Sequence, residues 1–170
     1  AEAIARLAHP NLVALQEVDR GTDRASGVDQ LAELERLMNM HGTFGKTIDY
    51  QGGSYGVAVL SRWPVLSVEN RPLPSSPDRE ARTALTVQMR AGEGGPLLQF
   101  TSTHLDQGRD SEDRVAQARS LEELPFIEGR ATILAGDLNT RPNTDIMKMF
   151  EAHWIIAASA DAPPTVPDGR

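Results

Sequence analysis

The 170-residue sequence predicts an α/β fold, with helices layered against a mixed sheet or two sheets. Three observations predict it. Apolar runs of strand length recur along the chain, LVALQEV, YGVAVLS, ALTVQMR and LLQFTSTH among them. Between them, Asp29–Met40 and Asp110–Leu124 carry apolar residues at helical spacing. Hairpin signals mix with helical crossovers, which excludes a purely alternating β-α-β order.

Taken in order, Ala1–Ala8 has Ile4 and Leu7 at helical spacing and stops near Pro10. Leu12–Val18 reads as a buried strand and Gly21–Val28 as a polar loop. In Asp29–Met40, Leu31, Leu34, Leu37 and Met38 form the apolar stripe of a helix, and His41-Gly42 is its expected end. Thr43–Asp49 follows as a strand, Gln51-Gly52-Gly53 as a turn, and Tyr55–Ser61 and Val65–Leu73 as strands. Pro72–Pro77 is a loop. Ala84–Arg90 and Leu97–His104 flank Gly92–Pro96, the signature of a hairpin. Asp110–Leu124 is a second amphipathic helix, with Val115, Ala118, Leu121 and Leu124 on one side, Asp110 or Ser111 as its cap and Pro125 at its end. Ala131–Ala135 reads as a buried strand, Asp145–Glu151 as a short helix, and Ala158–Arg170 as a loop. There is no internal repeat, and the length suits one domain with a sizeable core.

Composition narrows the function classes. The net charge of −7 argues against a protein built to wrap nucleic acid by counterion release, although a bound cation and a local basic rim would still allow a nuclease. The absence of cysteine excludes a disulfide framework and a thiolate metal site. No apolar run reaches the roughly 18 residues of a membrane span. No signal peptide stands at Ala1, and the opening without Met reads as that of a fragment or a processed chain.

Five polar residues stand at or near strand ends: Glu17 in LQEVD, Glu80 before Ala84–Arg90, His104 in STHLD, and Asp137 and Asn139 in GDLN. Strand ends meet along one rim of a sheet, where ligands bind in α/β folds. Each residue has an ordinary structural reading. Glu17 is an edge residue facing water. Asp137 and Asn139 form an Asx turn. His104 is a satisfied structural histidine. Tyr55-Gly56 is plain strand packing. Their joint occurrence, in this order, carries the functional case.

The stretches LQEVD (Leu15–Asp19), YGVAVLSRWP (Tyr55–Pro64), EARTAL (Glu80–Leu85), TSTHLD (Thr101–Asp106), RVAQAR (Arg114–Arg119) and GDLNTRP (Gly136–Pro142) resemble the endonuclease/exonuclease/phosphatase family, which includes DNase I, abasic-site endonucleases, inositol polyphosphate 5-phosphatases and neutral sphingomyelinases. The resemblance implies a DNase I-like four-layer α/β sandwich. It also implies a hydrolase that cleaves phosphate esters with a divalent metal, Mg²⁺ or Mn²⁺. By the same resemblance, Glu17 is the metal-binding glutamate, Asp137 orients or deprotonates the attacking water, and Asn139 donates to the phosphate or helps hold that water. His104 binds the phosphate and serves in proton transfer. Glu80 pairs with that histidine, and such a carboxylate would raise the pKa of His104. Arg82 is a structural or phosphate-facing cation, and Tyr55 and Gly56 lie near the groove floor. Arg114 and Gln117 match as braces of loops. The residue types suit phosphoryl transfer, which needs an in-line water, a cation against developing charge, and positioned donors.

The family's first strand, with its active-site asparagine, and its closing Asp strand and Ser-Asp-His stretch have no counterpart in these residues. The expectation is one domain over residues 1–170, incomplete at both ends, catalytically impaired by itself, with unpaired sheet edges. The expected partner is a phosphate-ester substrate, whether small molecule, lipid head group or nucleic acid, and no obligate protein partner is evident. Two rival readings stand. A non-catalytic scaffold of the same fold need not keep Glu17, His104, Asp137 and Asn139 together. A Rossmann-like nucleotide binder would need a Gly-rich phosphate loop after a first strand, and none is present.

Overall fold

The computed structural model describes residues 9–108 and 112–157. The expected first helix, the cap at Asp110 or Ser111, and the loop Ala158–Arg170 lie outside them. The chain divides into two compact units, Ala1–Asn139 and Thr140–Arg170.

The first unit holds two sheets. Strands β1 (Leu12–Arg20), β2 (His41–Tyr50) and β3 (Gly53–Ser61) form a three-stranded sheet in the order β1-β3-β2, with antiparallel pairing throughout. Strands β4 (Val65–Leu73), β5 (Arg82–Arg90), β6 (Leu97–His104) and β7 (Arg130–Asp137) form a four-stranded mixed sheet in that order. Its β6–β7 pair is parallel, so a crossover is required, and α2 (Glu112–Glu122) lies within that crossover.

The sheets face each other across an apolar core. Val57 and Val59 from the first sheet meet Leu85, Val87, Met89 and Phe100 from the second. On the other face of the first sheet, Leu31 of α1 (Gln30–Met38) packs with Val18, Met40, Ala58 and Leu60. The alternation in VAVL therefore feeds two cores, one on each side of β3. The outer face of the second sheet is buried but polar. Thr86 and Thr101 share a hydrogen bond of 2.9 Å, and Gln99 donates to Pro125 O just past α2. This pairing makes the Thr and Gln residues of LTVQM and LQFTST tolerable inside.

Local chemistry sets the boundaries. Asp29 caps α1 by accepting from the Ala32 N–H at 3.0 Å. Asn39, left-handed at φ 51°, ends it, so His41-Gly42 belong to β2 and not to a helix terminus. Gln51 and Gly52, both at positive φ, make the two-residue turn between β2 and β3. In α2 the buried face is Gln117, Ala118 and Leu121, and Val115 is exposed. Of the expected stripe, Ala118, Leu121 and Leu124 are buried, and Val115 gives its place to Gln117. Gln117 accepts from the Asp106 N–H at 2.8 Å and donates to Pro74 O at 2.9 Å, while Arg114 donates to Asp106 O and Gly108 O. Both thus brace loops.

Strand β7 departs from the buried strand expected for Ala131–Ala135. It is the outermost strand of the described sheet, and Ile133 is 40% exposed. No described helix is long and apolar enough to cross a membrane. In the second unit, Thr144 caps α3 (Asp145–Glu151) through the Met147 N–H.

Candidate active site

The site begins with a break in β1. Leu15 pairs with Ala58 and Val18 with Gly56, so Gln16 and Glu17 together oppose one residue. Glu17 takes φ 58° in this bulge. A β-bulge re-aims a side chain, and a left-handed glutamate is a local strain that surrounding structure must hold. Ser102 of β6 does the holding from the facing sheet. Its hydroxyl accepts from Gln16 Nε2 and donates to Leu15 O, each at 3.3 Å. The chain just before Glu17 is thereby tied to the strand that ends in His104, and the Glu17 side chain is exposed.

A small cavity of ≈ 10 Å³, the size of about one water molecule, lies at this end of the sheets. Tyr55, Gly56, Glu80, Arg82 and His104 line it, together with Thr47, Val57 and Thr83. Gly56 is required where β2 and β3 cross closely, because a Cβ there would collide with Gly45 O. Burial, then the negative charges of Glu17 and Glu80, push the Tyr55 hydroxyl above its ordinary pKa.

The expected Glu80–His104 pair is replaced by a three-residue relay. Glu80 accepts from Arg82 Nη1 at 2.7 Å, and the same nitrogen stands 3.3 Å from His104 Nδ1. The Arg82 side chain is only 4% exposed. Burial and then the guanidinium charge lower the pKa of His104, and the carboxylates of Asp137, Glu17 and Glu80 oppose that shift without reversing it. The expectation of a raised pKa is therefore corrected: the ring is buried, and the nearest charge to it is a cation. On its far side, His104 Nε2 is 4.0 Å from Asp137 Oδ2.

Asp137 and Asn139 follow β7. Gly136 precedes them at φ 148°, where a Cβ would meet Thr103 O, so the parallel strands approach at a point only glycine permits. Asp137 is half-exposed. Its Oδ1 accepts from the Asn139 N–H at 2.8 Å, which is the Asx turn. Asn139, at φ 46°, donates its amide to Leu105 O at 2.8 Å. The turn and the proposed chemistry are compatible: the turn orients Asp137 and leaves Oδ2 toward His104.

The structure thus groups Tyr55, Glu80, Arg82 and His104 around one cavity, with Asp137 at the far side of the histidine. Glu17 is linked to the group through its field on Tyr55 and His104. Sequence reasoning missed Asp19 and Arg24. Buried Asp19 holds Arg24 Nε at 2.9 Å, and the Arg24 guanidinium lies over the rings of Tyr50 and Tyr55 at 4.8 and 5.0 Å. Asp19 was visible in LQEVD, but nothing in the spacing points to Arg24. Ser102, which secures the bulge, also carried no signal.

Among the described residues no group of three or more His, Asp or Glu is gathered as a ready metal cage. Glu17 is an exposed hard carboxylate, and a cation that keeps most of its waters needs only one or two such ligands, so the donor chemistry fits Mg²⁺.

Known structures share this architecture. The endonuclease/exonuclease/phosphatase from Beutenbergia cavernae DSM 12333 is 27% identical, with a TM-score of 0.61 over 81% of this chain and 40% of that one. The human Nocturnin catalytic domain with bound sulfate is 22% identical, with a TM-score of 0.69 over 89% and 59%. D. rerio TDP2 complexed with single-strand DNA product is 22% identical, with a TM-score of 0.59 over 82% and 52%. The chain spans 40–59% of the lengths of these three proteins. Its two facing sheets with helices make the DNase I-like α/β sandwich. Residues 1–167 match one family along nearly their whole length, and the chain belongs to the endonuclease/exonuclease/phosphatase family.

Proposed function

We propose that the protein is a divalent-metal-dependent hydrolase of phosphate esters in which water attacks phosphorus in line. The observation that carries this reading is the convergence at one end of the two sheets: Glu17 aimed by a bulge, His104 held by Arg82, and Asp137 4.0 Å from the free side of that histidine. Family membership supports it. In this reading Asp137, half-exposed and oriented by its own turn, accepts a hydrogen bond from the attacking water and takes its proton. His104 Nε2 and the remaining Asn139 amide hydrogen are the donors for phosphoryl oxygens. Glu17 would hold the metal, Mg²⁺ or Mn²⁺, with waters completing its shell. When bound, the ion supplies charge neutralisation at the phosphoryl group. Tyr55, its pKa raised by burial and by the charges of Glu17 and Glu80, keeps its O–H as a donor.

The finer reading is a nuclease acting on DNA or RNA. It is favoured by the DNA product in the D. rerio relative and set against by the acidic balance of this chain. The test is hydrolysis of bis(p-nitrophenyl) phosphate by the whole protein, not by residues 1–170 alone, with Mg²⁺, with EDTA, and by its Asp137→Ala variant. Turnover that needs the metal and falls by at least about a hundredfold in the variant is expected. Absence of turnover on this diester and on phosphomonoesters with any divalent metal would instead support the binding scaffold.

A further inference from the structure

We propose that Arg82 is a positioning residue: it fixes His104 as the neutral tautomer with its proton on Nε2, so that the ring meets a phosphoryl group as a hydrogen-bond donor and not as an imidazolium. A guanidinium has only N–H donors and no acceptor, and it does not deprotonate in a protein. Arg82 Nη1 stands 3.3 Å from His104 Nδ1. The contact is a hydrogen bond only if Nδ1 offers a lone pair. The single ring proton of the neutral form must then sit on Nε2, the nitrogen that faces Asp137 Oδ2.

The rest of the neighbourhood supports this choice. Glu80 holds the same Nη1 at 2.7 Å, so the guanidinium is anchored from behind. The Arg82 side chain is 4% exposed and that of His104 7%, so bulk water has little access to the contact. A second ring proton would point an N–H at a buried cation, and the lowered pKa of His104 agrees with that cost. A carboxylate in the place of Arg82 would impose the opposite tautomer, with the proton on Nδ1 and a lone pair presented at Nε2. Arg82 thus selects the polarity of the ring face that looks toward Asp137. The consequence for catalysis rests on the hydrolase reading, whereas the tautomer itself does not.

The experiment is long-range ¹H–¹⁵N NMR of the His104 imidazole in the protein, across neutral and mildly acidic pH, needing no substrate or metal. The expected wild-type result is a pyrrole-type shift at Nε2 and a pyridine-type shift at Nδ1, with the ring neutral at pH 7. Arg82→Lys keeps a donor without an acceptor and should retain that pattern. Arg82→Gln presents a carbonyl as well as an N–H, and should give mixed tautomers. A proton on Nδ1, or a doubly protonated ring at pH 7 in the wild type, would overturn the proposal. So would an Arg82→Gln spectrum identical to wild type. If an Arg82 variant does not fold, the wild-type spectrum still decides the tautomer. In turnover, Arg82→Gln should lower kcat on the order of a hundredfold with little change in KM, and Arg82→Lys should restore most of it. Correct NMR with no turnover by the whole protein would sink the hydrolase reading and leave the tautomer assignment standing.

Discussion

At the scale of single residues, the site is built where the backbone is least comfortable. Glu17 and Asn139 both lie at positive φ, yet only Asn tolerates that region readily. A glutamate there costs about 1 kcal/mol. Glu17→Gly should therefore leave stability unchanged, or raise it by up to about 1 kcal/mol, while eliminating metal-dependent turnover. Urea denaturation beside the diester assay reads both, and a large loss of stability would show that Glu17 is structural. Gly136 makes the opposite case. A Cβ there meets the Thr103 carbonyl at a φ that L-residues avoid. Gly136→Ala should cost about 2 kcal/mol or more and displace the Asp137 turn. A melting temperature within a degree or two of wild type would refute that reading of the β6–β7 approach.

At the scale of elements, α1 shows how a cap links local charge to stability. Burial pushes the Asp29 carboxyl up, but the Ala32 N–H and the Arg20 guanidinium, with Nε at 2.7 Å, leave its pKa below the ordinary value. The sign follows: a folded pKa below the unfolded one stabilises above the unfolded value, and the contribution fades as pH falls through the folded one. Asp29→Ala should cost about 1 kcal/mol near neutral pH. That cost should stay constant down to about pH 4 and shrink below it. Chemical denaturation of both proteins over that range checks it, and a cost that grew on acidification would contradict the assignment. The bulge of β1 is likewise a property of elements in combination, since Ser102 on another strand and another sheet keeps it in place.

At the scale of the molecule, the inter-sheet core couples the two halves of the site. Glu17 belongs to the first sheet and His104 and Asp137 to the second, so their relation depends on how the sheets face. Leu85 is fully buried in that core, against Val57 and Val59. Leu85→Ala should cost about 3 kcal/mol through lost transfer energy and a residual cavity. Near-UV circular dichroism and the diester assay should report the loss together, since loosened sheets would also loosen the distance between Glu17 and His104. Full activity in a variant destabilised this far would show that the site is organised by one sheet alone.

The sequence by itself determined the elements and named the candidates for the site. Strand and helix periods follow from which residues alternate between water and core, so Leu97–His104 and Asp145–Glu151 were legible to the residue. Motif order likewise brought forward Glu17, Tyr55, Glu80, Arg82, His104, Asp137 and Asn139. Boundaries set by left-handed residues were less legible, because Asn39 ending α1 is a choice of conformation and not of composition. Only the tertiary structure decided who partners whom. It buried His104 and placed Arg82 between Glu80 and the ring, and together, burial first, these reverse the expected direction of the histidine's pKa shift. It turned Gln117 inward and Val115 outward, and it left β7 as the outermost strand of the described sheet. The physical reason is range. Hydrophobic periodicity is a local property of the chain, whereas electrostatics and hydrogen bonding depend on which distant residue arrives within about 3 Å.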